Sequence, residues 1–330
     1  MKIFFFDSWR VKETPVSEFS CPWLRGNVPQ SKFFEPVMRH WRDLGHEVQT
    51  WSSWGPELVN WADGGLCYFG QVDNNLKRAS NEMEKPPNTR IIAEGIDADI
   101  YGGDWRHVNW DWIDGLVVMA RHIHDYMRPH LPDSLPVYHV PGGVDLDRWT
   151  LRREPKRGYN VAWIGNYWIA KNLFGTLQVF NTLIRRDPHH PWHLYVRGYK
   201  WSPNWWREHC MAYVRANPEL ERRVTFVDKY IPDLNEWLED KSYLMSTSFK
   251  EAYGYVIGQS AAKGIRPVIQ NTNGATDIWP RNWIFDTHEE AVDMFLSALY
   301  HPDGYRAYVA DRYPLEKRLA ALDEICLGGR

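Results

Sequence analysis

Short apolar runs of strand length recur through the whole chain and leave few folds open to it. They fall at residues 2–6, 47–51, 66–69, 90–93, 116–119 and 137–140, and again at 161–164, 193–196, 224–227, 243–245, 267–270 and 283–285. Helix-length or loop segments separate them. Most of these runs are short and largely apolar, which suits strands covered on both faces, and strands alternating with helices pair in parallel through crossover connections. At 330 residues the chain exceeds what one core usually serves, so two domains of about 150 residues are expected. The paired Gly142 and Gly143 in VPGGVDLDRW mark the turn between them, since glycine reaches backbone conformations closed to other residues. The sequence therefore reads as α/β, with Rossmann-like domains at 1–150 and 151–306 and a helical segment at 307–330 that returns to the first domain.

The stretch SFKEAYGYVIGQSAAKGIRPVIQNTNGATDI, from Ser248 to Ile278, carries the chemistry. An apolar run at 243–245 leads into a short turn bearing Glu251. A helix follows, with Gln259 on it and Gly264 closing it, and then a second strand at 267–270. In open α/β sheets ligands gather at the carboxyl ends of the strands. Glu251 and the loop 271–275, with Asn273 and Gly274, project there. A second such unit is VAWIGNYWIAKNLFGTLQVFNTLI, in which Gly165 opens a loop and Leu173, Leu177, Phe180 and Ile184 line one buried helix face.

The first stretch resembles the donor-site signature of retaining GT-B glycosyltransferases, those of glycosyltransferase family 4 in particular. Glu251, Tyr253, Gly254, Ala261, Ala262, Gly264 and Pro267 stand where the signature has them, and Gln259 replaces its second Glu. By that resemblance Glu251 meets hydroxyls of the donor sugar. Gln259 meets the ribose, whose hydroxyls an amide still hydrogen-bonds. Gly165, Asn166 and Lys171 stand where the family has Gly-Arg and, five residues on, a Lys directed at the donor diphosphate; the Lys is kept and the Arg is not. Gly26, in the RGN tripeptide that begins with Arg25, matches a Gly-rich loop that faces the diphosphate from the other domain. Arg197 is a further donor-site candidate, and Arg25 or Arg197 would hold the diphosphate if Lys171 does not.

The resemblance implies two domains facing across a cleft, and sugar transfer from a nucleoside diphosphate sugar to an acceptor hydroxyl with retention. It implies no cofactor and no essential metal. Glu251 orients the donor sugar, and Lys171 with helix N-termini offsets the charge growing on the leaving diphosphate. The acceptor class stays open among glycan, lipid and small molecule. Glu94 and Asp97, after the strand at 90–93, are acceptor candidates together with Arg25, Trp105 and His122. Trp105 belongs to one of several aromatic clusters among 19 tryptophans. Aromatic faces stack on sugars and bases, although burial in a core is the default for most of them.

A net charge of −3 argues against extensive contact with nucleic acid. Two alternatives remain. One is a glycosyltransferase acting on modified bases of phage DNA, using a patch of Arg152, Arg153, Lys156 and Arg157. The other is a non-catalytic sugar-nucleotide or glycan binder, suggested by Asn166 and Gln259. Cys21, Cys67, Cys210 and Cys326 are too widely spaced for a zinc site or a disulfide framework. No apolar run approaches the ~18 residues of a spanning helix, and MKIFFFD is too short for a signal core. A cytoplasmic protein, at most peripheral to a membrane, is expected.

Overall fold

The computed structural model of the chain describes residues 1–6, 31–51, 56–199, 205–227, 231 and 233–328. The chain divides into two compact units, Met1–Pro141 with Lys317–Arg330, and Gly142–Glu316.

The first unit holds strands β1 (Lys2–Phe6), β2 (Glu47–Trp51), β3 (Leu66–Phe69), β4 (Arg90–Gly95), β5 (Gly115–Val118) and β6 (Val137–His139). They form one parallel sheet in the order β2-β1-β3-β4-β5-β6. Ile3, Phe4, Phe5 and Phe6 are all fully buried, because β1 is central and covered on both faces. Helices Ser31–Asp43 and Leu315–Leu327 pack on this sheet, and Phe34, Val37 and Trp41 share a cluster with Leu322, Ile325 and Cys326. Trp41 Nε1 donates to Asp323 Oδ1 at 2.9 Å, and His40 Nε2 lies 2.7 Å from Asp323 Oδ2.

The deepest tie between the last helix and this sheet is ionic. Arg318 Nη2 donates to Glu94 Oε1 at 2.7 Å and Oε2 at 3.0 Å, and Arg318 Nη1 donates to the carbonyls of Val140 and Pro141. The Tyr68 hydroxyl donates to the same carboxylate. Glu94, at the end of β4, is entirely inaccessible. It therefore serves as the counter-ion of a buried guanidinium and is not exposed to an acceptor, which corrects the expectation from sequence.

The second unit holds β7 (Asn160–Asn166), β8 (His193–Tyr199), β9 (Val224–Phe226), β10 (Tyr243–Ser246), β11 (Arg266–Gln270) and β12 (Ile284–Phe285). Their parallel order is β12-β11-β10-β7-β8-β9. The chain winds outward from β7 through β8 and β9, then restarts at β10 on the other side of β7. Loops leaving β7 and β10 thus part in opposite directions, which opens a crevice at this switch point. The helix Leu173–Arg186 covers the sheet with Leu173, Leu177, Phe180, Leu183 and Ile184, on a core that also takes Trp163 and Trp192.

Gly142 is required by packing in this unit: a Cβ there would stand 2.2 Å from Cδ1 of the Tyr253 ring. Among the described cysteines Cys67, Cys210 and Cys326 are free and buried, and burial pushes the Cys67 and Cys210 thiols up to about 12. Among the described residues no helix is long and apolar enough to cross a membrane.

Removing one partner of a buried ion pair leaves an uncompensated charge and costs about 3–5 kcal/mol, whereas replacing both with apolar groups costs far less. Arg318→Met is therefore expected to destabilise the first unit by about that amount, and Arg318→Met combined with Glu94→Met to recover much of it. Urea unfolding of the three proteins gives the comparison, and a double variant no more stable than the single would remove the pair from this role.

Candidate functional site

Gly165 and Asn166 are the last residues of β7, so Gly165 ends a strand where a loop was expected to open. Beyond them the chain makes one tight 3-10 turn, Ile169–Lys171, fixed by Asn166 Oδ1 accepting the Trp168 N–H at 3.3 Å. Asn172 closes the turn with φ 45° and ψ 49°, the one described non-glycine residue with positive φ. Its Oδ1 accepts the Gly175 N–H at 3.1 Å, capping the helix Leu173–Arg186. Lys171 therefore precedes the helix, on a turn of its own, and is not in the first helical turn.

The loop after β10 is stitched to this one. The Thr247 hydroxyl donates to the Asn172 carbonyl at 2.7 Å and lies 2.7 Å from that of Thr176, and the Phe249 N–H donates to the Ala170 carbonyl at 2.8 Å. The stitching brings Lys171 Nζ to 2.7 Å from Glu251 Oε1 and 2.8 Å from Oε2, with the two side chains 25 % and 21 % exposed. A lysine and a glutamate 80 residues apart thus meet at the switch point of the sheet.

Glu251 also lines a small pocket open to solvent, together with Ser246, Ser248, Gln270, Thr272 and Trp279. The Gln270 side chain accepts a long bond, 3.5 Å, from Asn172 Nδ2. The polar members come from the ends of β10 and β11; Ile257, Ile269 and Ile278 give the apolar floor. Tyr253 lines the pocket too, with its ring buried against Trp279 and Tyr313. Gly254, at φ +70°, turns the chain into the helix Tyr255–Ala262.

The remaining residues singled out from sequence scatter. Gln259 is half-buried on that helix and is not among the pocket-lining residues, while Asn273 is exposed and Gly274, at φ +81°, turns into a short helix. Arg197 is buried on β8, in register with Ile164. Arg25 and Gly26 lie outside the described residues. In the first unit Trp105 is almost inaccessible and donates Nε1–H to the Ile100 carbonyl at 3.1 Å, with Trp110 and Trp112 buried beside it in sequence. That cluster is core and offers an acceptor no face. Asp97 begins a short helix whose Asp99 accepts the N–H groups of Val72 and Ile96. Burial outweighs those two bonds and pushes the Asp99 carboxyl up to about 8. His122 is half-buried on the helix Arg121–Met127. Among the described residues no three His, Cys, Asp or Glu side chains gather as a metal site.

No protein-family model matches the chain, and no curated protein matches it. Solved structures do. Sucrose-phosphate synthase from Thermosynechococcus elongatus superposes with a TM-score of 0.74 at 11% identity, covering 98% of each chain. HepE from Anabaena in complex with UDP and glucose gives 0.71 at 11%, over 98% of this chain and 99% of that one. TarM gives 0.65 at 14% over 80% of this chain; the match spans 56% of TarM, little more than half its length. The chain has the GT-B fold. As a GT-B chain it carries Lys171 and Glu251 on the loops that flank the switch point of its second sheet.

Asn172, Thr176 and Thr247 organise these loops and were not anticipated, although an Asn directly before an apolar helical pattern is itself a capping signal. Asn172→Ala loses the cap and places a Cβ residue without a compensating side chain at positive φ. It is expected to cost about 1–2 kcal/mol, against a few tenths for Asn172→Gly. Urea titration of both variants measures this, and equal losses would show that the positive φ adds nothing to the cost of the substitution.

Proposed function

We propose that the chain transfers a sugar from a nucleoside diphosphate sugar to an acceptor hydroxyl, and that Lys171 and Glu251 are the residues that do the work. The observation that carries this is the two-oxygen contact between them at the switch point. With no donor bound, the ammonium and the carboxylate neutralise each other. An entering diphosphate competes for the ammonium, which frees carboxylate oxygens to accept hydrogen bonds from hydroxyls of the donor sugar. As the glycosidic bond breaks, negative charge builds on the departing diphosphate, and a fixed ammonium offsets it where it develops. Lys171 fills the part a divalent cation would otherwise take, so the reaction is proposed to need no metal.

Ser246, Ser248, Gln270 and Thr272 give the pocket further hydrogen-bonding groups, while its apolar floor limits water. Retention is proposed from the resemblance in the Glu251 segment. A leaving phosphate oxygen takes the proton from the acceptor hydroxyl on the same face, so no protein nucleophile is needed. HepE bound to UDP and glucose makes UDP the first nucleotide to try.

The test is transfer from UDP-sugars with EDTA present throughout. Glu251→Ala is expected to keep the fold and lose about 10- to 150-fold in kcat/KM, the value of one charged hydrogen bond. By calorimetry Lys171→Ala loses more UDP affinity than Gln259→Ala, because a charge-assisted contact is about twice as strong as a neutral one. Full activity in Glu251→Ala, or the reverse order of affinities, would place the donor elsewhere.

A further inference from the structure

Among the described residues three of the exposed large apolar side chains belong to the two stitched loops. Trp168 is 50 % exposed, Ile169 46 % and Phe249 56 %. They are held firmly. The Trp168 N–H donates to Asn166 Oδ1, the Trp168 carbonyl accepts from Lys171 N–H at 2.9 Å, and the Phe249 N–H bonds the Ala170 carbonyl. Lys250 Nζ sits 4.7 Å from the Trp168 ring centroid. Exposed apolar groups on rigid backbone lose little freedom when something stacks on them.

Their neighbours say what that something is. Trp168 lies three residues from Lys171 and Phe249 two from Glu251, and the Phe249 N–H bonds the carbonyl of Ala170, next to Lys171, so these rings stand on the loops that carry the ion pair. An apolar partner such as a membrane or a hydrophobic protein face would strip water from both charges and give no hydrogen bonds back, which is costly. A pyranose has what the place requires. Its C–H face covers an aromatic ring, and its hydroxyls reach outward to charged and polar groups.

The geometry points to Trp168 and Phe249 as a stacking platform for a pyranose acceptor, on the loops that carry the donor-site pair. This rests on the glycosyl-transfer reading above and assigns the acceptor class as carbohydrate. The platform lies within the second unit and takes over the part expected of the Trp105 cluster, which is buried. Ile169 widens its apolar border.

Saturation-transfer NMR, with UDP present, tests it with methyl pyranosides and the disaccharides maltose, cellobiose and lactose as probes. At least one probe is expected to receive saturation from the wild type. Trp168→Ala and Phe249→Ala each weaken that probe by about tenfold, while Trp168→Phe, which keeps an aromatic face, stays within about threefold. UDP affinity by calorimetry and the thermal midpoint remain those of the wild type in all three. The proposal is overturned if the wild type binds UDP but none of the sugars, if both alanine variants bind them undiminished, or if nucleosides are held at Trp168 instead. A wild type that binds no nucleoside diphosphate fails at the donor site, and that outcome counts against the glycosyl-transfer reading itself.

Discussion

The contact between Lys171 and Glu251 is the interaction on which the functional account depends, and its energetics show why it is not there to hold the fold. Each side chain is about three-quarters buried, which puts the contact between exposed pairs, worth about 0–1 kcal/mol, and fully buried ones, whose desolvation can exceed their attraction. The loop that delivers Lys171 places Asn172 at positive φ, a conformation that costs a residue with a Cβ roughly 1–2 kcal/mol before the cap repays part of it. Local strain thus offsets most of what the pair returns. Such an arrangement makes sense where geometry, not stability, is being fixed.

The ion pair of the first unit makes the contrast. Glu94 and Arg318 are inaccessible, and the guanidinium also holds the carbonyls that end at Pro141. No substrate reaches that carboxylate. Its partner comes from the last helix, so the pair fastens that helix to a sheet made from the first 140 residues. The same two kinds of charge give a structural clamp where water is excluded and a responsive site where it is not.

The fold was largely readable because the inner strands of a parallel sheet are short and mostly apolar: each expected run coincides with a strand or overlaps one. The switch point was not readable, since strand order is a property of the sheet and not of any segment. Glu251 and Lys171 could be picked out only by resemblance, each with a separate ligand, and nothing in the sequence indicated that they touch. Glu94 was misjudged because its partner lies 224 residues away, and Trp105 because the rings it packs against, Tyr126 and His130, lie further along the chain. Asn172 was overlooked for a local reason: positive φ at a non-glycine residue is uncommon enough that a turn without glycine does not announce it.

The most direct test of the central claim is thermal unfolding of the wild type and of the Lys171→Ala/Glu251→Ala double variant with UDP-, GDP-, ADP- and dTDP-glucose. A donor at 100 times its dissociation constant adds about 2.7 kcal/mol to the protein that binds it. The account predicts that at least one of the four stabilises the wild type by that order and leaves the double variant unmoved. Equal stabilisation of both proteins, or none of the wild type by any of the four, would contradict it.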